Sequence, residues 1–424
     1  MQQFMKPSIL VSALLATFSA QAQTSVSDTV ILGSGYANQV WYRLPADEAG
    51  TQPKNNWDLA FRISGSMSSD IMVNNSGSGA LWVYPKSGTS GWSSVDTTGL
   101  STWSGLYNNE TSWLGAMGRY TDASNPYDLG WGIYDMGTHN VVGDSIYIIK
   151  TQAGNFKKLI IEKLASSTYT FTYANLNGSD ETTSIIAKSS YTGKKYGYFS
   201  LDTKTALDRE PLNTDWDLVF GQYATGDYSS MGIAGYTVTG VLANDTLKIA
   251  KAVVDPATRS SYTAFSSLTF SGNINGLGYN WKSTSGVVKD SNVYFIRRNN
   301  GDIWKLYFTG WISGVSGNGS IIFTKERLSG TSISEQVKSN TALALSPNPS
   351  QSGQMVQVVY HFETGVDNAQ LLISDITGRI VHQTPLEKTA GLHVYGCNAP
   401  LSAGTYFVQI HTGSEKSVQK LVIQ

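Results

Sequence analysis

The side chains able to do chemistry in this 424-residue chain are few and unevenly placed. Of five histidines, His139 alone precedes residue 340; His361, His382, His393 and His411 all follow it. A hydrolytic triad in the first 340 residues would need His139 as its base. A multi-histidine metal site fails on the same count. No G-x-S-x-G, H-E-x-x-H, paired C-x-x-C or G-x-x-x-x-G-K-[ST] run is present. Asn75-Ser76-Gly77-Ser78-Gly79 and Gly314-Val315-Ser316-Gly317 are Gly-rich but lack the lysine of a phosphate loop. Cys397 is the single cysteine, so no internal disulfide forms, and it reads as an inert small residue. Asp58 and Asp217 occupy the same local motif and read as turn organisers that bond backbone N–H groups. No catalytic residue and no metal site are assigned. A glycosidase pair stays open, because its two carboxylates lie far apart in sequence. No regular Asp spacing marks a calcium loop.

Aromatic side chains are the other chemical resource. Trp82, Trp92, Trp103, Tyr107, Trp113 and Tyr120 are separated by Gly, Ser, Thr and Asn, a loop-like texture. Such rings offer a flat apolar face with a polar edge, suited to a flat ligand or a sugar ring. Trp92, Trp103, Tyr107 and Trp113 are the candidate ligand-binding residues. The competing reading makes them core and lid aromatics.

The elements that must carry these residues are strands. Only 14% of residues are charged, while 42 Gly, 23 Tyr and 11 Trp accompany many Ser, Thr and Asn. That mixture disfavours long charged helices and favours strands joined by tight polar turns. A formal net charge of -1 with no basic block argues against a nucleic-acid partner. Residues 1–22 have the shape of a signal peptide: Lys6, an apolar stretch of 9–18, and the small-x-small site Ala20-Gln21-Ala22. No later stretch reaches the ~18 apolar residues of a transmembrane segment.

Self-similarity organises the rest. Asn55-Asn56-Trp57-Asp58-Leu59-Ala60-Phe61 recurs as Thr214-Asp215-Trp216-Asp217-Leu218-Val219-Phe220. Each follows an aromatic strand, Val40-Trp41-Tyr42-Arg43-Leu44 and Tyr196-Gly197-Tyr198-Phe199-Ser200-Leu201. Leu129-Gly130-Trp131 answers Leu277-Gly278-Tyr279. A hairpin closes each copy, spanning 144–162 around Gly154-Asn155 and 290–308 around Asn300-Gly301. Trp57 and Tyr147 are 90 residues apart, Trp216 and Tyr294 only 78, so the first copy carries extra surface loop.

The Trp-Asp-Leu-Ala-Phe motif with its later Ile-Tyr-Ile-Ile-Lys hairpin resembles the HmuY family, exported or surface haem-binding proteins of Bacteroidota. The resemblance spans about residues 36–175 and, more loosely, 196–326. It implies a β-rich fold whose loops clasp one haem between two axial ligands, His or in some members Met. Bis-His ligation within one repeat is impossible here; a Met/His or Met/Met pair remains chemically open. Met67, Met72, Met117, Met136 and His139 are the candidates, Met136 and His139 sharing one loop before the first hairpin. None aligns residue by residue with a family ligand.

After residue 328 the texture changes to a polar linker, 329–342, and then a unit of short alternating strands. Pro347-Asn348-Pro349, Asp375 with Gly378-Arg379, Gly404-x-Tyr406 and a terminal strand opened by Lys420 resemble the type A C-terminal sorting domain of the type IX secretion system. The resemblance implies an address read after periplasmic transit, with the secretion machinery as partner.

The expectation is therefore an all-β chain: signal peptide 1–22, HmuY-like repeats 23–180 and 190–328, linker 329–342, and an Ig-like β-sandwich sorting domain 343–424. It would be a secreted or cell-surface, non-catalytic binder of haem or porphyrin. The alternatives are a glycan-binding or host-surface adhesin and a glycoside hydrolase.

Overall fold

The computed structural model describes residues 25–65, 68–226, 235–329, 341–362, 364–412 and 415–424. The signal-peptide segment, most of the linker and Met67 lie outside the described residues. The chain is all-β, and every pairing between named strands is antiparallel. No described helix is long and apolar enough to cross a membrane.

Four sheets build residues 26–329. The first, an eight-stranded sheet, contains the hairpin Ile146–Lys150/Phe156–Ala165, flanked by Ala80–Val83 and Thr168–Asn175. The second is the row Thr205–Leu207, Tyr196–Ser200, Leu59–Arg62, Ile71–Val73. The third is the row Tyr236–Ala243, Leu218–Thr225, Asn38–Arg43, Asp47–Pro53. The fourth runs Val26–Ile31, Ser320–Ser329, Ile303–Trp311, Asn292–Arg297, Lys248–Val253. Both hairpins expected from the sequence are present, with Ile148 opposite Lys158 and Phe295 opposite Lys305.

The two aromatic strands are exchanged between the copies. Asn38–Arg43 does not pair with the Trp-Asp-Leu strand that follows it. It pairs with the second copy's, Val219 opposite Trp41. Tyr196–Ser200 pairs instead with the first copy's, Tyr198 opposite Ala60. Residues 23–180 and 190–328 are thus units of sequence. The units of packing are one core drawn from residues 59–201 and another from 30–44 with 218–323.

Alternation along the exchanged strands explains why they are apolar on both faces. Val40 and Tyr42 enter one lobe core, while Trp41 joins Trp216 and Val219 on the other face. Leu59 and Phe61 enter the other core, while Ala60 joins Trp57, Tyr196 and Tyr198. A strand buried on both faces reads as a continuous apolar run. The second and third sheets therefore lie back to back, and the four sheets form a stack with three apolar layers. Trp113 packs against both middle clusters.

Residues 341–424 form a separate sandwich with its own core. Its three-stranded sheet is Thr341–Ser346, Val356–Phe362, Gly391–Cys397. Its four-stranded sheet is Ile380–Pro385, Gln370–Asp375, Gly404–Thr412, Glu415–Ile423. Cys397 is buried there, and burial pushes its thiol up, away from the reactive thiolate.

Candidate functional site

The repeated motif builds the seam between the lobes. Asp58 Oδ2 accepts from the Leu201 N–H at 2.7 Å, and Asp217 Oδ2 from the Leu44 N–H at 2.8 Å. Each carboxylate thus ties the end of the exchanged strand to the motif. The other oxygens differ: Asp58 Oδ1 accepts the Gln152 N–H, whereas Asp217 Oδ1 meets Arg298 Nε at 3.0 Å. Burial raises the pKa of both carboxyls, against the pull of these donors. They act as structural acceptors, as their position in a turn motif suggests.

A second equivalence escapes sequence reading. Asn74 Nδ2 donates to the Trp57 carbonyl and Asn244 Nδ2 to the Trp216 carbonyl. Their side-chain oxygens accept the N–H groups of Ser76 and Thr246, two residues on. The signal was an Asn-x-Ser/Thr step after each motif, hidden in the Gly-rich run beginning at Asn75.

Cations lie over the seam's indoles. The Arg209 guanidinium stands 5.0 to 5.6 Å from the ring centres of Trp41, Trp57 and Tyr198. Burial brings its pKa down to about 10. Lys195 Nζ stands 5.7 Å from Trp113 and from Trp216 and pairs with Asp245 at 2.5 Å. Such contacts fix the rings rather than expose them.

At the edge of this seam a cleft opens between the lobes. Trp57, Met72, Asn75 and Trp113 line one side; Val219, Gln222 and Leu242 line the other, with Lys54 between. The enclosed volume is about 70 Å³, room for about five water molecules by the usual allowance per water. Most polar groups here are already satisfied. Asn108 spends its amide on both backbone groups of Val73, and Lys54 Nζ bonds Gln222 Oε1. Burial lowers the Lys54 pKa. Two atoms remain: the buried Trp57 Nε1 and the buried Asn75 Oδ1 have no hydrogen-bond partner among the described residues. One is a donor and the other an acceptor.

The structure scatters the candidate haem ligands. Met117 is packed in one lobe core with Trp131 and Ile71. Met72 lies on the opposite face of its strand from Ile71 and Val73, in the inter-lobe cleft. Met136 is 61% exposed at a hairpin tip. His139, with φ +57°, accepts or donates a 2.8 Å hydrogen bond to the Tyr134 hydroxyl through Nδ1. No two of these four residues share a lining, so they do not fit an axial pair. His139 by itself borders a separate cleft with Tyr127, Leu129, Tyr134, Val141 and Leu164.

The candidate aromatics also divide. Trp113 lines the inter-lobe cleft, its indole N–H donating to the Ala243 carbonyl at 2.9 Å. Tyr107 stacks under the Arg119 guanidinium at 4.5 Å. Trp92 is held by Lys158 over its ring and by Glu181 on its N–H. Trp103 packs edge-on against Tyr84. Trp113 alone of the four lines the inter-lobe cleft; Trp57, Lys54 and Asn75 complete the cleft and were not singled out from sequence.

In the C-terminal sandwich the motif residues make specific bonds. Asn348 Nδ2 donates to the Lys420 carbonyl, and Asn348 Oδ1 accepts the Val422 N–H. This clamps the last strand beside Pro347 and Pro349. Asp375 accepts the Arg379 N–H and Nε across a turn in which Gly378 has φ +85°. Tyr406 donates to the Ser402 carbonyl, closing the turn that Gly404 ends.

Residues 344–424 match the family model of the secretion system C-terminal sorting domain. The tail addresses the protein to the type IX machinery and hence to the cell surface or beyond. No curated protein matches the chain. Among solved structures, one that it matches is PorZ, a surface component of the type IX secretion system of Porphyromonas gingivalis. The two are 11% identical with a TM-score of 0.16 over 76% of this chain and 50% of the other. The chain thus spans about half the length of that structure.

Proposed function

We propose that this exported protein is a non-catalytic surface binder whose inter-lobe cleft takes a neutral, hydroxyl-rich ligand, a glycan end being the natural class. The carrying observation is the cleft walled by Trp57, Trp113, Met72 and Leu242, behind whose surface two buried atoms of its lining residues, Trp57 Nε1 and Asn75 Oδ1, lack a partner among the described residues. A hydroxyl both accepts and donates, so a diol that shifts these side chains can answer both atoms while its C–H face lies on an indole. The paired state of Lys54 and the lack of an acid in the lining favour a neutral ligand. The repeats are read as HmuY-like modules, supported by the equivalent bonds of Asp58 and Asp217.

Glycan-array screening of the mature chain, followed by calorimetry on the best neutral hit, tests the reading. Trp57→Phe removes the N–H together with part of the indole. It is expected to weaken binding by roughly tenfold, about 1.4 kcal/mol, and to lower the thermal midpoint, because the smaller ring leaves a cavity beside Tyr198 and Arg209; binding is read well below that midpoint. Absence of any neutral glycan hit, or equal affinity of the variant, refutes the proposal.

A porphyrin reading survives at one place. His139 Nδ1 is engaged by Tyr134, which leaves Nε2 for a metal, beside the apolar lining of Leu129, Val141 and Leu164. Haemin titration should then give a saturable Soret shift that His139→Ala abolishes. An unchanged spectrum in both redox states removes this reading.

A further inference from the structure

A second cleft, of about 390 Å³, shares no lining residue with the seam cleft, although its Thr237 and Thr239 hydroxyls bond Asn75 and Gln222 of that cleft. Its floor is Lys282, with Tyr36 and Trp311 on one wall and Thr237 and Thr239 on the other. Tyr36 and Trp311 are parallel, their ring centres 5.8 Å apart and planes 12° off. Glycines make that stack possible: a Cβ on Gly314 would stand 2.7 Å from the Tyr36 ring, and one on Gly286 would stand 3.0 Å from Trp311. Gly286 also has φ +84°, so two requirements meet there.

Lys282 Nζ sits between two indoles, 5.3 Å from the Trp281 centre and 5.0 Å from that of Trp311. It has no hydrogen-bond acceptor or carboxylate partner among the described residues, unlike the buried Lys195, Lys305 and Lys325. Among the described residues, the ionisable groups that line the cleft with it are Tyr36, Tyr236, Tyr279 and Lys289, and no carboxylate does. A half-buried ammonium without a counter-charge is unfavourable, and aromatic faces repay only part of the lost hydration. Burial accordingly holds the Lys282 amine down at about 8. An anion entering this cleft would supply the counter-charge that the described residues do not.

We propose that this cleft binds an acidic saccharide, its anionic group on Lys282 and its ring along the exposed edge of the Tyr36–Trp311 stack. The apolar edges of the stacked rings suit the C–H groups of a pyranose. The amide of Asn280 suits its hydroxyls, and the hydroxyls of Thr237, Ser283 and Ser285, already bonded to Asn75 and to each other, keep lone pairs that can accept from it. Lys289 adds a second positive charge to the lining. The site is distinct from the neutral inter-lobe cleft, which shares none of these residues.

Calorimetry on the mature chain would use trigalacturonate and glucose 6-phosphate as probes, with maltotriose as the uncharged control. One acidic probe is expected to bind, with Lys282→Gln weakening it at least about tenfold and Lys282→Arg largely retaining it. The two probes tell a carboxylate source from a phosphate source. Because an anion restores the charge on Lys282, binding near pH 8.5 takes up protons, and the measured heat varies with the ionisation heat of the buffer. Trp57→Phe leaves acidic-sugar binding unchanged, which separates this site from the seam cleft. Lys282→Gln folds normally, since it removes an unpaired charge. Failure of both acidic probes at millimolar concentration, equal binding by Lys282→Gln, or comparable binding of maltotriose overturns the proposal.

Discussion

The two motif aspartates look interchangeable in sequence, yet their partners make them unequal. Asp217 meets Arg298 in a buried ion pair, whereas Asp58 accepts from the Gln152 and Leu201 backbone N–H groups and the Ser200 hydroxyl, with no cation. Breaking a buried pair costs about 3–5 kcal/mol when it leaves a bare charge, and Asp302, 3.7 Å from Arg298, holds the loss of Asp217 toward the lower end of that range. Losing one charge-assisted backbone bond costs about 1.5–3 kcal/mol. Asp217→Asn should therefore shift the urea midpoint further than Asp58→Asn; the reverse order would assign the stability to the wrong partner. Lys282 gives a second residue-scale test. Burial holds its folded pKa at about 8, below the ordinary lysine value of 10.5, so the unfolded chain holds more protons between those values. Its contribution to stability is unfavourable below pH 8 and fades as pH rises toward 10.5. Lys282→Gln should thus exceed the native chain by about 1–2 kcal/mol at pH 7, after allowance for partial exposure, and the gap should close by pH 10.5.

Elements, rather than residues, decide what can fold alone. A fragment of 23–180 contains Leu59–Arg62 but lacks Tyr196–Ser200, its partner. That leaves a central strand as an edge with Phe61 and Leu59 uncovered. A fragment of 57–203 contains both strands and a complete core. The expectation is that 57–203 gives dispersed amide resonances and cooperative unfolding, while 23–180 aggregates; equal behaviour would count against strand exchange as the organising contact. Both hairpins and the Trp-Asp-Leu strands were legible in sequence, because turn residues and β-branched runs act locally. The exchange was not, since Val40-Trp41-Tyr42 and Tyr196-Gly197-Tyr198 carry the same pattern and either pairing satisfies it. Met117 and Met72 illustrate the same limit: their burial on opposite faces depends on the short turn at Ala116–Arg119 packing on Ile71–Val73, which periodicity does not register. The seam cleft stayed hidden because its lining comes from seven separate stretches between Gln39 and Ile274, with Asn75 inside a run that reads only as Gly-rich loop.

At the scale of the molecule, the proposed binding clefts and the address occupy separate cores. Every residue of the two lobe cores precedes 324, and every residue of the third core follows 342. Stability of the sheet stack should then be independent of the tail, whereas targeting depends on it. Deleting 341–424 is expected to leave the thermal midpoint of the stack, its neutral-glycan affinity and its acidic-sugar affinity unchanged, while the product accumulates in the periplasm. Two transitions in the full chain, of which the deletion removes one, would show the independence directly. Within the tail, Asn348 joins the opening segment to the last strand through the Lys420 carbonyl and the Val422 N–H. Asn348→Ala removes both bonds at about 1–2 kcal/mol, which should lower the tail transition alone. If surface display falls in step with that transition, the folded sandwich is what the machinery reads; full display from a chain whose tail is unfolded would show that a linear signal suffices.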